Sequence, residues 1–245
     1  DGPGTLTVAV RSGVVVGRAW GPGADWLLDQ MPDFLGARDD PDALVPRDPV
    51  VRELVRRAEG LRLSRTDRVW EALVPAILEQ KVVGAEAFRA WRYLLRRFGS
   101  PAPGPVPETM RVPPARQDWV RIPSWEWHRS GIVPVRMRTI RGATTIDVER
   151  HARKLTVLRG VGQWTEAETL SRSLGDPDVV NVGDYHIPKL VGLTLIGEAV
   201  DDAGMLELLE PYAGQRQRII RLVARRGVRP ERRGPRMTVR DYRDF

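Results

Sequence analysis

A tight turn with two glycines, set between two helical stretches, restricts the fold of this chain more than any other feature of its sequence. The turn lies within Leu155 to Trp164, where Gly160 and Gly162 flank a single valine. Glycine is favoured where a turn is tight or where the backbone must approach another group closely. Main-chain N–H groups at the start of the second helix can then bind a phosphate through their partial positive charge. The segment therefore predicts an anion-binding hairpin between helices.

A candidate acidic group follows in the segment Val182-Gly183-Asp184-Tyr185. Asp184 stands just before a stretch with a proline, which is tolerated in the first turn of a helix. An aspartate in this position is commonly an N-cap that accepts main-chain N–H bonds. A helix N-terminus also favours an ionised carboxylate, and such an anion can stabilise a developing cation. The two roles are compatible, so Asp184 is the candidate catalytic carboxylate.

The charge of the chain favours an anionic partner. The 245 residues carry a formal net charge of +7, the pI is near 10.4, and all but three of the 39 basic residues are arginine. A strongly basic chain favours nucleic acid or another anionic surface. Arginines are concentrated in residues 215–245, where Arg216, Arg218, Arg221 and Arg225 together fall at roughly helical spacing. We predict that Arg216 and Arg218 contact phosphates, with a solvated surface as the alternative.

Several function classes are excluded by what the sequence lacks. There is no cysteine, which excludes disulfides, thiolate zinc sites and iron–sulfur clusters. The three histidines, His128, His151 and His186, are too far apart in sequence for a local metal motif. No run of about 18 apolar residues and no leader peptide is visible. We expect a cytoplasmic protein that requires no cofactor.

The apolar pattern predicts a mainly α fold. Two β-branched runs, Thr5 to Val10 and Val14 to Trp20, predict a β-hairpin. Beyond them apolar residues recur at three- to four-residue spacing, typical of helices, including one over 117–131 and one over 146–158. A proline-rich stretch over 99–114 predicts a connection between two helical lobes. The predicted domains are a β element and its connection over 1–48, alone or as part of a larger sheet domain, two helical lobes over 49–226, and a basic tail over 227–245.

Three segments in a fixed order carry a resemblance to a known family. They are Ile77-Leu78-Glu79-Gln80-Lys81, the turn Leu158 to Thr165, and Val182 to Ile187. Together they resemble the helix-hairpin-helix (HhH-GPD) superfamily of DNA glycosylases, and within it the bacterial alkyladenine type, 3-methyladenine DNA glycosylase II. The resemblance runs from about residue 65 to residue 226. It implies two helical lobes with a cleft that receives a nucleotide flipped out of double-stranded DNA.

The resemblance also implies roles for the residues of the hairpin and for Asp184. In this family the aspartate stabilises the oxocarbenium-like sugar or helps a water molecule to attack it. The hairpin residues that would contact the DNA backbone are Gly160, Val161, Gly162, Gln163 and Thr165. A structural monovalent cation would be held by the main-chain carbonyls of Thr156, Leu158 and Val161.

Trp164 bears on the type of reaction. It occupies the position at which bifunctional relatives carry a nucleophilic lysine, and an indole cannot form a Schiff base. The resemblance therefore implies a monofunctional hydrolase that leaves an abasic site. Trp164 instead resembles the aromatic residue of the alkyladenine-type base pocket, where it could stack on an electron-poor base. A core tryptophan beneath the hairpin is the alternative.

Four more positions bear on the substrate. Gln80 and Lys81 lie where the family places residues near the gap left by the flipped base. We assign Gln80 to the base pocket and Lys81 to the DNA contacts, with a polar helix end as the alternative. Glu168 and Arg221 stand where the alkyladenine type has aromatic residues, which implies a more polar pocket. Exposed side chains that pair with other surface charges are the alternative for this second pair.

The sequence thus predicts a monofunctional DNA glycosylase of base excision repair that acts on an alkylated or deaminated purine. We expect it to act as a monomer on double-stranded DNA that contains a damaged base. One alternative is a noncatalytic helix-hairpin-helix module that binds DNA or lesions without cutting the glycosidic bond. Another is a glycosylase with divergent base specificity, or with lyase activity through the amine of Lys81 or Lys189.

Overall fold

The computed structural model describes residues 2–228 and residue 241. The described chain is mostly helical, and most of its helices form two groups, each around its own apolar core. The strands of the described residues form two small antiparallel pairs. The prediction of a mainly α fold with a small N-terminal β element is confirmed.

The chain begins with the predicted β-hairpin. Strand β1 (Thr5–Arg11) pairs with β2 (Val14–Trp20), and Thr5 lies opposite Trp20 in the register. Helix α1 (Ala24–Phe34) packs against both strands. This small unit precedes the two helical lobes in the chain.

The first group of helices, here called lobe A, surrounds helix α3 (Val69–Leu78), whose side chains are almost all buried. Trp119 is buried in the core of lobe A, and the centroid of its ring lies 6.2 Å from that of Trp91 and 5.8 Å from that of Trp127. The other helices of lobe A are α4 (Gly84–Phe98), α5 (Asp118–Arg121), α6 (Ser124–Arg129), α7 (Pro134–Ala143) and α8 (Gln163–Ser173).

Three predictions within lobe A need correction. The proline-rich stretch 99–114 does not join the two lobes, because its ends pair with each other as β3 (Ser100–Pro101) and β4 (Arg111–Val112) inside lobe A. The predicted helix over 117–131 is interrupted at Pro123, since proline lacks the N–H that a helix interior requires. The predicted helix over 146–158 is helical only in a 3-10 segment, Ala152–Val157.

The second group, here called lobe B, joins an early helix to the last part of the chain. It contains α2 (Pro49–Arg57), α9 (Ile187–Leu195), α10 (Asp202–Leu209) and α11 (Arg216–Arg226). Short 3-10 turns, Pro41–Ala43 and Glu210–Tyr212, flank these helices.

The order of the helices brings the chain across the boundary between the lobes twice. It runs from α2 in lobe B through α3 to α8 in lobe A, and then returns to lobe B as α9. The returning segment, residues 174–186, contains Asp184. Among the described residues, no helix is long and apolar enough to cross a membrane.

Candidate active site

The predicted glycine turn connects the 3-10 segment Ala152–Val157 to α8. Gly160 has a φ of +91°, a conformation that favours glycine. A Cβ atom at this position would lie 2.1 Å from Oγ1 of Thr139 on α7, so a side chain would also clash. Gly162 is different, because its φ is −104° and a Cβ there would meet only open space. The shape of the turn therefore requires Gly160, whereas Gly162 leaves the backbone accessible.

The amino end of α8 suits an anion. Its N-cap is Gly162, which has no side chain to accept the first N–H groups of the helix. Gln163, the first residue of α8, is exposed to solvent. Glu166 in the first turn is occupied elsewhere, because its carboxylate accepts the N–H of Leu155 at 2.7 Å. An uncapped helix N-terminus of this kind favours an anion through its N–H groups and the helix dipole.

Gln80 connects the end of α3 to the hairpin and to Thr165 of α8 through hydrogen bonds. The side-chain amide of Gln80 donates to the carbonyl oxygen of Gly160 at 2.9 Å and to Oγ1 of Thr165 at 2.8 Å. Thr165 is only 2% exposed, so any DNA contact it makes is through its main chain, and that contact remains a prediction. Lys81, the next residue after Gln80, is exposed beside this contact and has a φ of +54°.

Asp184 is half-buried where the chain enters α9. Its Oδ1 accepts the main-chain N–H groups of His186 at 2.7 Å and Ile187 at 2.9 Å. The N-cap residue of α9 is His186, so Asp184 lies two residues before the cap position but still binds the N–H groups at the start of the helix. Its Oδ2 accepts the indole Nε1–H of Trp164 at 2.9 Å. Trp164 belongs to lobe A and α9 to lobe B, so this hydrogen bond crosses between the lobes. The structure thus brings the candidate catalytic carboxylate and the candidate pocket aromatic into contact.

Tyr185 was not among the predicted site residues, although its position directly after Asp184 was a signal. Its side chain is 71% exposed. The ammonium of Lys189 lies 4.5 Å from the centroid of its ring, and the ring of His186 meets it edge-on at 4.9 Å. An exposed aromatic ring with a neighbouring cation is suited to contacts with bases and phosphates.

Glu168 lies one helical turn beyond Trp164 on α8, and its carboxylate is already paired. It accepts a hydrogen bond from Arg172 at 3.0 Å and one from the amide of Asn181 at 3.4 Å. Arg172 also donates to Glu79, at the end of α3, at 2.9 Å. Burial acts against the charged form of Arg172, but the bonds to the two carboxylates outweigh it and raise its pKa. The spacing of Glu168 and Arg172 predicts their pairing; the contact with Glu79 depends on tertiary structure.

The three arginines of α11 with predicted roles lie in different surroundings. Arg221 is exposed and reaches towards lobe A, with a guanidinium nitrogen 3.4 Å from Oγ of Ser171. Arg216 is half-buried and binds Asp178, with its Nε 2.8 Å from Oδ1.

The prediction that Arg218 contacts DNA is wrong. Its side chain is only 3% exposed and is paired with Asp39, whose own side chain is equally buried. One of its guanidinium nitrogens lies 3.0 Å from Oδ2 of Asp39. The residue therefore stabilises the junction between the segment before α2 and α11.

The cation predicted in the hairpin remains a prediction. The carbonyl oxygen of Leu158 accepts the N–H of Val161 at 2.9 Å, which closes the turn. A carbonyl oxygen has two lone pairs, so this bond leaves room for a second partner. Among the described residues, no cluster of three or more His, Asp or Glu side chains is arranged to hold a metal ion. Most of the predicted basic tail, residues 229–240 and 242–245, lies outside the described residues.

The two helical lobes are shared with solved DNA glycosylase structures at low sequence identity. A 3-methyladenine DNA glycosylase from Archaeoglobus fulgidus has a TM-score of 0.69 and 17% identity, over 91% of this chain and 87% of that one. The 8-oxoguanine glycosylase/lyase of Clostridium acetobutylicum, bound to double-stranded DNA with cytosine opposite 8-oxoG, has a TM-score of 0.65 and 13% identity. That similarity covers 90% of this chain and 84% of the other. The resemblance predicted from the sequence is thus confirmed for the fold.

Two curated proteins that are similar in sequence are named as DNA repair enzymes. Two curated Mycobacterium tuberculosis proteins, from different strains, carry the name "Probable bifunctional transcriptional activator/DNA repair enzyme AlkA" and are 28% identical over 163 residues. The match covers 60% of this chain but only 32% of each relative, so the chain spans about a third of their length. No protein-family model matches the sequence.

Proposed function

We propose that this protein is a DNA glycosylase of base excision repair in which Asp184 assists hydrolysis of the N-glycosidic bond of a damaged purine. The observation that carries the proposal is the position of the Asp184 carboxylate. It lies at the boundary of the two lobes, half-buried, and is held by α9 and by Trp164. The fold and the curated relatives support the same class of activity.

The chemistry follows from the fixed carboxylate. As the bond between the sugar C1′ and the base nitrogen breaks, the electron pair leaves with the base and positive charge develops on the sugar. A carboxylate that is already oriented stabilises this charge without further reorganisation of the site. The same carboxylate can accept a proton from the water that adds to C1′. The products are the released base and an abasic site.

In this proposal the hairpin binds the DNA backbone. The N–H groups at the start of α8 have no capping side chain, and the space around the Cα of exposed Gly162 is open to a phosphate. Exposed Gln163 and Lys81 lie on the same part of the surface. Because part of the affinity would come from phosphate contacts, binding should weaken as the salt concentration rises. The proposed partner is double-stranded DNA that contains a damaged base, bound by one copy of the chain.

Trp164 supports a monofunctional reaction, since an indole provides no amine for a Schiff base. The polar position of Glu168 supports a base that is recognised through hydrogen bonds. Its carboxylate is shared with Arg172 and Asn181, which offsets its charge. A site built to hydrogen-bond its ligand rejects bases that lack the matching groups. The resemblance to the alkyladenine type supplies the substrate class, and we propose an alkylated or deaminated purine as the substrate.

The test is a set of duplexes, each with one modified base, including hypoxanthine, a methylated purine and 8-oxoguanine. The wild-type protein should form abasic sites, detected by alkaline strand cleavage, in at least one alkylated or deaminated duplex. Asp184→Asn should slow this reaction by about 100-fold or more. Binding by both proteins without excision by either would instead favour a noncatalytic DNA-binding module.

Borohydride trapping separates the monofunctional reaction from a lyase. We expect no trapped protein–DNA adduct on abasic DNA. An adduct would overturn the monofunctional assignment. The candidate nucleophiles would then be the exposed amines of Lys81 and Lys189. Loss of the adduct in Lys81→Ala or in Lys189→Ala would then identify the nucleophile.

A further inference from the structure

We infer that Trp164 is a positioning residue for Asp184, acting through its indole N–H rather than by stacking on the flipped base. This inference rests on the proposed glycosylase function. It concerns how the carboxylate is held in place and assigns Trp164 a role different from the one implied by the family resemblance.

The hydrogen bonds of Asp184 come from two directions. Oδ1 accepts two N–H groups from the start of α9, at 2.7 Å and 2.9 Å, and these locate the carboxylate only with respect to lobe B. The hairpin proposed to hold the DNA belongs to lobe A. Among the described residues, the bond from Trp164 to Oδ2, at 2.9 Å, is therefore the one that fixes the carboxylate with respect to the hairpin.

Trp164 is well placed for this task. It is the second residue of α8, directly after the hairpin, and its side chain is half-buried. An indole N–H is a donor only, and a bond to an ionised acceptor is stronger than one between neutral groups. With Nε1 bound to Oδ2, the carboxylate sets the orientation of the ring.

Two substitutions separate the hydrogen bond from stacking. Trp164→Phe keeps an aromatic face but removes the N–H. Trp164→His keeps a five-membered ring in which Nε2 occupies the place of the indole Nε1, so its Nε2–H form can donate to Asp184. Stacking predicts that the phenylalanine variant is the more active of the two. Positioning through the N–H predicts the opposite order.

The experiment measures single-turnover excision on the best substrate, at a pH where imidazole is neutral, together with the affinity for abasic duplex. We expect Trp164→Phe to slow excision by about 10- to 100-fold, which is the range for the loss of a hydrogen bond to a charged group. The excision rate of Trp164→His should fall clearly less. Both variants should bind abasic duplex within about threefold of the wild type, because the phosphate contacts remain. A purely structural role would not produce this order of rates.

The inference is overturned if Trp164→Phe excises as fast as the wild type, or if it equals or exceeds Trp164→His. If either variant fails to fold, as judged by its thermal midpoint, site-specific replacement of Trp164 by 3-benzothienylalanine removes only the N–H. That protein should show the same slow excision. An inactive wild type would overturn the proposed function itself, and this outcome does not depend on the order of the variants.

Discussion

The side-chain amide of Gln80 donates at once to the carbonyl oxygen of Gly160 and to the hydroxyl of Thr165, at 2.9 Å and 2.8 Å. One amide thus joins the end of the buried helix α3 to the hairpin and to α8. The end of α3 is held from another side as well, because Arg136 of α7 donates to the carbonyl of Leu78 at 2.7 Å. The hairpin is therefore fixed to the centre of lobe A.

Replacing Gln80 should weaken this attachment. Gln80→Leu removes both hydrogen bonds and leaves the hydroxyl of buried Thr165 without its donor. The free energy of unfolding should fall by about 1–3 kcal/mol, measured by urea denaturation. Gln163→Leu is the matched control, because Gln163 is exposed, and it should change stability by no more than about 0.5 kcal/mol. Equal losses in both variants would contradict the role given to Gln80.

The two glycines of the hairpin should respond differently to alanine. Gly160→Ala places a Cβ against Thr139 and requires a left-handed backbone, so the free energy of unfolding should fall by about 1–3 kcal/mol or more. Gly162→Ala meets open space at an ordinary φ and should fold normally. Its effect should instead appear as weaker DNA binding, because the methyl group stands where a phosphate would approach. Normal stability in Gly160→Ala would contradict the geometry of the turn.

The buried ion pair of Arg218 and Asp39 gives a prediction about stability alone. Arg218→Met leaves the Asp39 carboxylate buried without its partner and should cost about 3–5 kcal/mol in the free energy of unfolding. Arg221→Met is the control, since Arg221 is exposed and should cost little. The slope of DNA affinity against salt should be the same in Arg218→Met as in the wild type, measured at a temperature where both are folded. A reduced slope would mean that Arg218 reaches phosphate after all.

Tyr212 should make stability depend on pH in the alkaline range. Burial and the hydrogen bond from its hydroxyl to Asp48 raise the pKa of Tyr212 to about 12. The folded state therefore favours the neutral phenol, and this contribution to stability is complete below the unfolded pKa of about 10. It is lost as the pH rises through the folded value.

Urea denaturation between about pH 9 and pH 12 tests this expectation. The free energy of unfolding of the wild type should fall more steeply over that range than that of Tyr212→Phe, which has no phenol to titrate at this position. The other tyrosines titrate in both proteins, so the difference isolates Tyr212. Parallel curves would show that the contact between Tyr212 and Asp48 is not coupled to folding.

Local features of the fold could be read directly from the residues. The β-hairpin, the apolar spacing of helix α1, the glycine turn and the main-chain hydrogen bonds of Asp184 all depend on neighbours within a few positions along the chain. Interactions of this range leave a periodic or positional pattern in the sequence.

Contacts between distant segments were decided only by the tertiary structure. Arg218 looks like a surface arginine in a basic stretch, but its partner Asp39 is 179 positions away and buries it. The pairing of α2 with α9 to α11, and the hydrogen bond between Trp164 and Asp184, likewise depend on how the chain path crosses the lobes. The sequence by itself determined most of the helices, the hairpin and the candidate carboxylate, because short-range sterics and hydrogen bonding specify them. Which side chains meet at the site, and which basic residues remain on the surface, was set by long-range packing, which leaves no local pattern to read.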